Sequence, residues 1–163
     1  MHLLMQKKAD VLHLLRFAEV CERRNLKIGL PALYHMAQLL VEQNKLQLAM
    51  NLIKSRDDTK SDASLFNRFI EGFVSLRKYT RAFQLYDEMK RMAVKPDIYT
   101  YAALMNCCFQ RHNDQRLFEL FSEMKENEIP LDVYVYNLLV RSCERVNDME
   151  LALVLFEEMK ENR

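Results

Sequence analysis

Apolar residues recur along the chain at the three- and four-residue spacing of amphipathic α-helices. One segment has such a stripe at Phe66, Phe69, Ile70, Phe73 and Val74, and the next has one at Ala82, Leu85, Tyr86 and Met89. Short, mostly polar stretches at residues 76–78, 111–114 and 145–148 separate successive segments. This pattern predicts pairs of antiparallel helices joined by short turns.

The paired segments repeat with a period of 35 residues. The run Leu85-Tyr86-Asp87-Glu88-Met89-Lys90 has close counterparts at residues 120–125 and 155–160, and the same step relates Phe66, Tyr101 and Tyr136. A single helical hairpin cannot bury its apolar faces alone, so repeats of this kind stack. The sequence therefore predicts an all-α fold, a right-handed α-solenoid of stacked helix-turn-helix repeats.

The period also predicts where each repeat begins and ends. Residues 1–29 fit the end of a preceding repeat, and four repeats follow: a shortened first at 30–62, a second at 63–97, a third at 98–132 and a truncated fourth at 133–163. Pro96 and Pro130 interrupt the links between repeats. Asp97 and Asp132 come soon after, where an acidic side chain can cap the next helix.

The composition agrees with a helical fold and limits how the chain can bind nucleic acid or a membrane. The chain has only 2 glycines and 3 prolines, too few turn residues for a many-stranded sheet. Its 24 basic and 23 acidic residues leave a formal charge of +1, so any contacts with nucleic acid must come from local clusters. No apolar run reaches about 18 residues, and we expect no membrane span. The N-terminus shows neither a secretory signal nor a transit peptide.

Residues that could carry chemistry are scattered. The four cysteines and four histidines lack the spacing of a zinc site, and no nucleophile, base and orienting group form a motif. We therefore expect no metal, no small-molecule cofactor and no catalysis. Cys108 and Cys143 fall in the same apolar stripe as Phe73, which favours packing over redox chemistry. Acidic residues of the second helices are expected to face solvent: Asp87, Glu88, Glu123, Glu157 and Glu158.

The repeated motifs resemble the pentatricopeptide repeat family. The likeness lies in an aromatic-Asn opening (Phe66-Asn67, Tyr136-Asn137), in the second helix Leu155-Phe156-Glu157-Glu158-Met159-Lys160 and in the ending Lys95-Pro96-Asp97. It extends from about Leu30 to the C-terminus. The resemblance implies binding of single-stranded RNA, about one base per repeat, in a mitochondrion or alternatively a chloroplast.

The resemblance also implies which side chains read each base: the residue after the opening aromatic, and the acidic residue that ends the repeat. These are Asn67 with Asp97, a pair that favours uracil, and Ala102 with Asp132. The partner of Asn137 would lie beyond Arg163. An amide offers a donor and an acceptor to a base edge, and a carboxylate can orient that amide.

Several positions depart from the family pattern. Ala102 has no hydrogen-bonding side chain, and Tyr34 replaces a polar reader. Tyr99 and Tyr134 stand where the family usually has an aliphatic residue between bases, and either ring could stack on a base. The place of the family's phosphate-binding lysine is held by Glu42, Ser75, Gln110 and Arg145, and only Arg145 is basic.

Other interpretations of the same residues stay open. Asp97 and Asp132 are equally consistent with a role as helix caps alone, and Asn67 and Asn137 with packing between repeats. The repeats could also form a protein-binding scaffold in a large ribonucleoprotein such as a mitochondrial ribosome, or the targeting arm of an enzyme whose catalytic domain lies outside this chain.

Overall fold

The computed structural model describes residues 30–54 and 63–161, together with His13, Arg16 and Val20. All regular structure in this part of the chain is helical, which confirms the prediction of an all-α repeat fold. The helices are α1 (Leu30–Glu42), α2 (Leu46–Lys54), α3 (Ser64–Ser75), α4 (Tyr79–Arg91), α5 (Ile98–Gln110), α6 (Asp114–Glu126), α7 (Val133–Val146) and α8 (Met149–Glu161). The partial repeat predicted at residues 1–29 lies almost entirely outside the described residues.

Helix boundaries follow the predicted period. The helices α4, α6 and α8 begin at Tyr79, Asp114 and Met149, in steps of 35 residues, and α5 and α7 begin at Ile98 and Val133 with the same step. Helix α2 begins 33 residues before α4. The end of the predicted first repeat, at residues 55–62, lies outside the described residues.

A left-handed residue ends the first helix of each described pair. Asn44, Arg77, His112 and Asn147 all have φ between 55° and 57°. The following amide donates back into the helix, as Lys78 N does to the carbonyl of Phe73 at 2.7 Å. This closure satisfies terminal carbonyls and reverses the chain without glycine.

Two of the turns are shorter in the structure than the sequence predicts. Arg145 and Val146, predicted in a turn, belong to the last turn of α7. The left-handed cap is Asn147, and the Asp148 carboxylate already accepts from Leu151 N at 3.0 Å in the next helix. Asp114 likewise begins α6 because the Asn113 side chain caps that helix.

The described chain divides into two compact units, residues 1–95 (unit 1) and 96–163 (unit 2). In unit 1, α3 packs against both α1 and α4 around the fully buried rings of Phe66, Phe69, Phe73 and Tyr86. Helices α1 and α3 approach closely at Gly72, where an added Cβ would lie 2.8 Å from Cγ1 of Val41. Glycine is therefore required for this spacing.

Unit 2 consists of two hairpins, α5 with α6 and α7 with α8, which pack through α5 and α7. Its core contains Tyr101, Leu104, Leu120, Tyr136 and Leu139. Cys107, Cys108 and Cys143 are buried in the same layer as free thiols. Burial raises the pKa of Cys107 to about 11 and that of Cys108 to about 12, so these thiols stay protonated and unreactive at neutral pH.

The expectation that every acidic residue of the second helices faces solvent is wrong for Glu88. Its side chain is 5% exposed and forms an ion pair with Arg91, one turn further along α4. Glu88 follows Leu85 by three residues and precedes Met89, so it lies at the edge of the buried stripe rather than opposite it.

Candidate nucleic-acid interface

One face of unit 2 carries four of the eight RNA-binding residues that the sequence singled out. We call it the reader face: Tyr99, Ala102 and Asn106 on α5, and Tyr134, Asn137 and Arg141 on α7. Spacings of three, four and seven residues place each trio on one side of its helix. Tyr99 is 65% exposed and Tyr134 47% exposed. Asn137 and Arg141 are also exposed, whereas Ala102 and Asn106 are half-buried.

The two acidic residues predicted at repeat ends are helix caps. Oδ1 of Asp97 accepts from Thr100 N at 2.9 Å, and the Thr100 hydroxyl accepts from Asp97 N at 3.2 Å, which completes a capping box. Oδ1 of Asp132 accepts from Val135 N at 2.8 Å. Capping fixes both carboxylates at the start of the helix that carries the next tyrosine. Their role in orienting a base-reading amide stays a prediction.

The equivalent residues in unit 1 are shielded from solvent. Asn67 is only 6% exposed. Tyr34, at the reader position of the first repeat, is half-buried and donates its hydroxyl to Ser64 Oγ at 3.1 Å. Asn67 and Asp97 belong to different units, and their joint reading of a base stays a prediction.

Arg145 lies at the centre of a network that ties the two hairpins of unit 2 together. Its Nη1 donates to the Phe109 carbonyl at 2.8 Å and is 3.2 Å from His112 Nδ1. Its Nη2 forms an ion pair with Asp114 and donates to Ser142 Oγ at 3.2 Å. The Ser142 hydroxyl in turn donates to Asp114 Oδ1 at 2.7 Å. We call this set the Arg145 clamp.

Charge in the clamp is partly shielded from water. The side chain of Arg145 is 23% exposed and that of Asp114 14%. Burial by itself would raise the pKa of Asp114, but hydrogen bonds from Ser142 and Arg145 and the charge of Arg145 outweigh burial, and the pKa of the carboxyl is lowered. The carboxylate is therefore stabilised in its ionised form.

Arg141 lies one turn before Arg145 and has a different environment. Both guanidinium groups lie over the ring of Phe109, with Cζ 4.5 Å from its centroid for Arg141 and 4.0 Å for Arg145. Within the described part of the chain, Arg141 makes no hydrogen bond or ion pair, so this cation–π contact alone holds it. Burial raises the pKa of Tyr134, with Asp132 adding to the rise and Arg141 opposing it.

Sequence reasoning missed Asn106 and Arg141 of the reader face, and the Phe109 ring against which Arg141 lies. A signal for Arg141 was present, because it follows Tyr134 by seven residues and Asn137 by four and so shares their face. Phe109 carried no such signal, since its part depends on two arginines of another helix.

Other kinds of site find no support in the described residues. They contain no cluster of three or more His, Cys, Asp or Glu side chains placed to hold a metal ion. None of their helices combines the length and apolar character that crossing a bilayer requires.

Comparison with solved structures finds the same helical-repeat fold in pentatricopeptide repeat proteins. The pentatricopeptide repeat protein PPR10 from maize matches with a TM-score of 0.70 at 18% identity, over 93% of this chain. PPR10 in complex with an 18-nt psaJ RNA element matches with a TM-score of 0.59 at 18% identity, over 96% of this chain. This chain spans 22% and 25% of those two PPR10 chains.

A shorter structure matches along most of its own length. The PPR domain of Arabidopsis thaliana protein-only RNase P 1, in complex with tRNA, has a TM-score of 0.66 at 16% identity and is covered over 89%, with 98% of this chain. At such low identities these matches establish the fold alone. The search of curated proteins found no match.

Family models assign the chain directly. A PPR repeat family model matches residues 61–110, a PPR repeat model matches residues 99–129, and a pentatricopeptide repeat domain model matches residues 119–163. Together they cover residues 61–163 without a gap, which is more than half of the chain. The chain belongs to the pentatricopeptide repeat family.

Proposed function

We propose that this chain is a single-stranded RNA-binding module that acts in organellar RNA processing, stability or translation. The observation that carries the proposal is the reader face, where Tyr99 and Tyr134 are exposed at equivalent positions of consecutive repeats. Aromatic rings presented in this way stack on unpaired bases, at about 1–3 kcal/mol per base. The repeat proteins of similar fold that were solved with an RNA element and with tRNA support the proposal.

Base selection in unit 2 would rest mainly on Asn137. Its amide is exposed and can donate to and accept from a base edge. Ala102 offers no such group, so the repeat that carries it would contribute stacking by Tyr99 rather than discrimination. With so few readers, the sequence preference of this chain is expected to be modest.

Titration of fluorescent oligonucleotides tests the proposal. The parent chain should bind single-stranded RNA more tightly than a duplex of the same length. The double change Tyr99→Ala and Tyr134→Ala should weaken single-strand binding by tenfold or more, given about 1–3 kcal/mol for each stacked base. The matched control, Tyr99→Phe with Tyr134→Phe, keeps both rings and should bind like the parent. Equal affinity for duplex and single strand would contradict the proposal.

We further propose a mitochondrial location, with a chloroplast as the alternative, and no catalysis by this chain. The support for both statements is the membership of the pentatricopeptide repeat family. Fractionation of cells that produce the full-length protein with a C-terminal tag tests the location. Cleavage of RNA by the purified chain, with or without divalent metal ions, would contradict the second statement.

A protein-binding scaffold in a large ribonucleoprotein is a second candidate function. The observation that favours it is a run of exposed apolar side chains on α8, namely Met149 (60% exposed), Leu153 (62%), Val154 (58%) and Phe156 (42%). Large exposed apolar patches commonly mark interaction surfaces. A salt series separates the two functions, because RNA affinity that rests on phosphate contacts falls steeply with ionic strength and apolar protein contacts do not.

A further inference from the structure

The two arginines near the end of α7 differ in how many of their N–H donors already bond to groups within the protein. Arg145 uses both terminal nitrogens within the protein, on the Phe109 carbonyl, Asp114 and Ser142. Arg141 donates no hydrogen bond to any residue in the described part of the chain, although a guanidinium has five N–H donors. An incoming anion would have to break the Arg145 clamp but could bind Arg141 directly.

The Phe109 ring also restrains Arg141. Its guanidinium lies 4.5 Å from the Phe109 ring centroid, so the ring limits its side-chain freedom without using its donors. A guanidinium that is held against an aromatic face and open at its edge can bind two phosphate oxygens at once. Helical geometry places Arg141 about 10 Å along α7 from Tyr134, on the same side.

We propose that Arg141 is the phosphate-binding cation of the reader face, and that Arg145 is a positioning residue that holds the two hairpins together. This inference rests on the proposed function, since the ligand is the backbone of the RNA strand whose bases stack on Tyr99 and Tyr134. It moves the phosphate contact one helical turn towards the start of α7, from the position that the family resemblance implies to one that the resemblance does not assign.

The salt dependence of binding separates the two arginines. The 163-residue chain is titrated with a uracil-rich single strand at several salt concentrations. Arg141→Gln should weaken binding roughly tenfold at low salt, the loss of one charge-assisted contact. It should also reduce the slope of log affinity against log salt by about 0.7, the share of one phosphate on a single strand.

Arg145→Gln should instead lower the melting temperature while the folded protein keeps the parent salt slope. A matched control is Lys125→Gln, which removes one positive charge from α6 in the same unit, where Lys125 pairs with Glu158. This control should leave both the affinity and the salt slope unchanged.

The possible failures are distinct. If the parent chain binds no single-stranded RNA at low salt, the proposed function fails and this inference fails with it. If the parent binds but Arg141→Gln retains its affinity and slope, the inference alone is overturned. A reduced slope for Arg145→Gln with none for Arg141→Gln would assign the phosphate to Arg145. An equal effect of Lys125→Gln would reduce the contact to general charge and overturn the inference.

Discussion

The same repeat presents a closed surface in unit 1 and an open one in unit 2. Asn67 and Asn137 stand at equivalent positions 70 residues apart, yet Asn67 is buried and Asn137 is exposed. Tyr34 and Ser64 bond to each other at 3.1 Å, whereas Tyr99 and Tyr134 point their rings into solvent. The repeat motif alone therefore does not decide whether a position can meet a ligand.

The two units also differ in the charge of the residues at equivalent repeat positions. At the position of Arg141, the two preceding repeats have Asn106 and an exposed glutamate, Glu71. At the position of Arg145 they have Gln110 and Ser75. Unit 1 does present an exposed Arg68 on α3. At the repeat positions equivalent to Arg141 and Arg145, however, the described repeats have basic residues only in unit 2. The comparison predicts that RNA binding depends mainly on unit 2, while the polar groups of unit 1 serve its own stability.

The largest expected effect comes from breaking the Arg145 clamp, which is a stability element of unit 2 on this view. Arg145→Met should lower the free energy of unfolding by about 2–3 kcal/mol, because it leaves the partly buried Asp114 carboxylate without its cation. Urea denaturation measures the change. The control Arg116→Met removes an ion pair whose side chains are 39% and 46% exposed, and should cost less than about 1 kcal/mol. Equal losses would deny the clamp any special role.

The next effect compares the two asparagines directly. Asn67→Ala should lower the free energy of unfolding by about 2 kcal/mol, since it removes a buried amide, whereas Asn137→Ala should change it by less than about 0.5 kcal/mol. RNA affinity should respond in the opposite order, with Asn137→Ala the more damaging. Loss of RNA binding by a stably folded Asn67→Ala chain would show that the buried residue reads a base after all.

The sequence predicted the fold well because its signal repeats. Three successive copies of the Leu-aromatic-X-Glu-Met-Lys run, in which X is Asp87, Ser122 or Glu157, fix one register, and the helix boundaries follow it. The predictions that failed concern residues whose type suggested an environment different from the one they have in the fold. Glu88 is polar but shares the buried edge of α4, and Arg145 looked like a turn residue but continues α7 to its left-handed cap at Asn147.

The candidate site was only partly predictable, for a physical reason. Exposure of Tyr99 and Tyr134 follows from helical spacing, which a sequence displays. The state of Arg145 depends on Asp114 and Ser142, and Asp114 lies 31 residues away on another helix. Comparison with the family at one repeat position therefore selected Arg145 for its charge and overlooked Arg141. That the N–H donors of Arg141 are open to a ligand can be seen only when the neighbours of both arginines are known.

A moderate effect is expected at the close helix contact of unit 1. Gly72→Ala places a Cβ 2.8 Å from Cγ1 of Val41, a stiff β-branched side chain. Overpacking costs about 1–3 kcal/mol, and the better helix propensity of alanine returns up to about 1 kcal/mol, so a net loss of about 1–2 kcal/mol is expected. The equivalent residues in unit 2 are Cys107 and Ser142, and the Ser142 side chain bonds to Asp114.

Relief of the Gly72 contact provides the control. If the clash with Val41 is the cause, the double change Gly72→Ala with Val41→Ala should lose less stability than the sum of the two single changes. Strict additivity would mean that the two helices adjust without strain.

A smaller effect tests whether the Tyr34 hydroxyl closes the first repeat. Tyr34→Phe removes its hydrogen bond to Ser64 and should lower the free energy of unfolding by about 1 kcal/mol. Tyr99→Phe removes an exposed hydroxyl in unit 2 and should leave stability within about 0.5 kcal/mol of the parent. Identical stability of all three chains would mean that the closed surface in unit 1 does not depend on this bond.

The smallest effect is a change in how stability depends on pH, and it tests the clamp without removing Arg145. Hydrogen bonds from Ser142 and Arg145, with the charge of Arg145, outweigh burial and lower the pKa of Asp114 in the folded state. Its stabilising contribution is therefore complete above about pH 4, the ordinary aspartate pKa of the unfolded chain, and is lost as pH falls below that value through the folded pKa. Asp114→Asn should flatten the acid limb of a plot of unfolding free energy against pH. Ser142→Ala, which removes one of the bonds that lower this pKa, should flatten the limb only in part. An unaltered acid limb in both variants would place the acid sensitivity elsewhere and reduce the clamp to a packing contact.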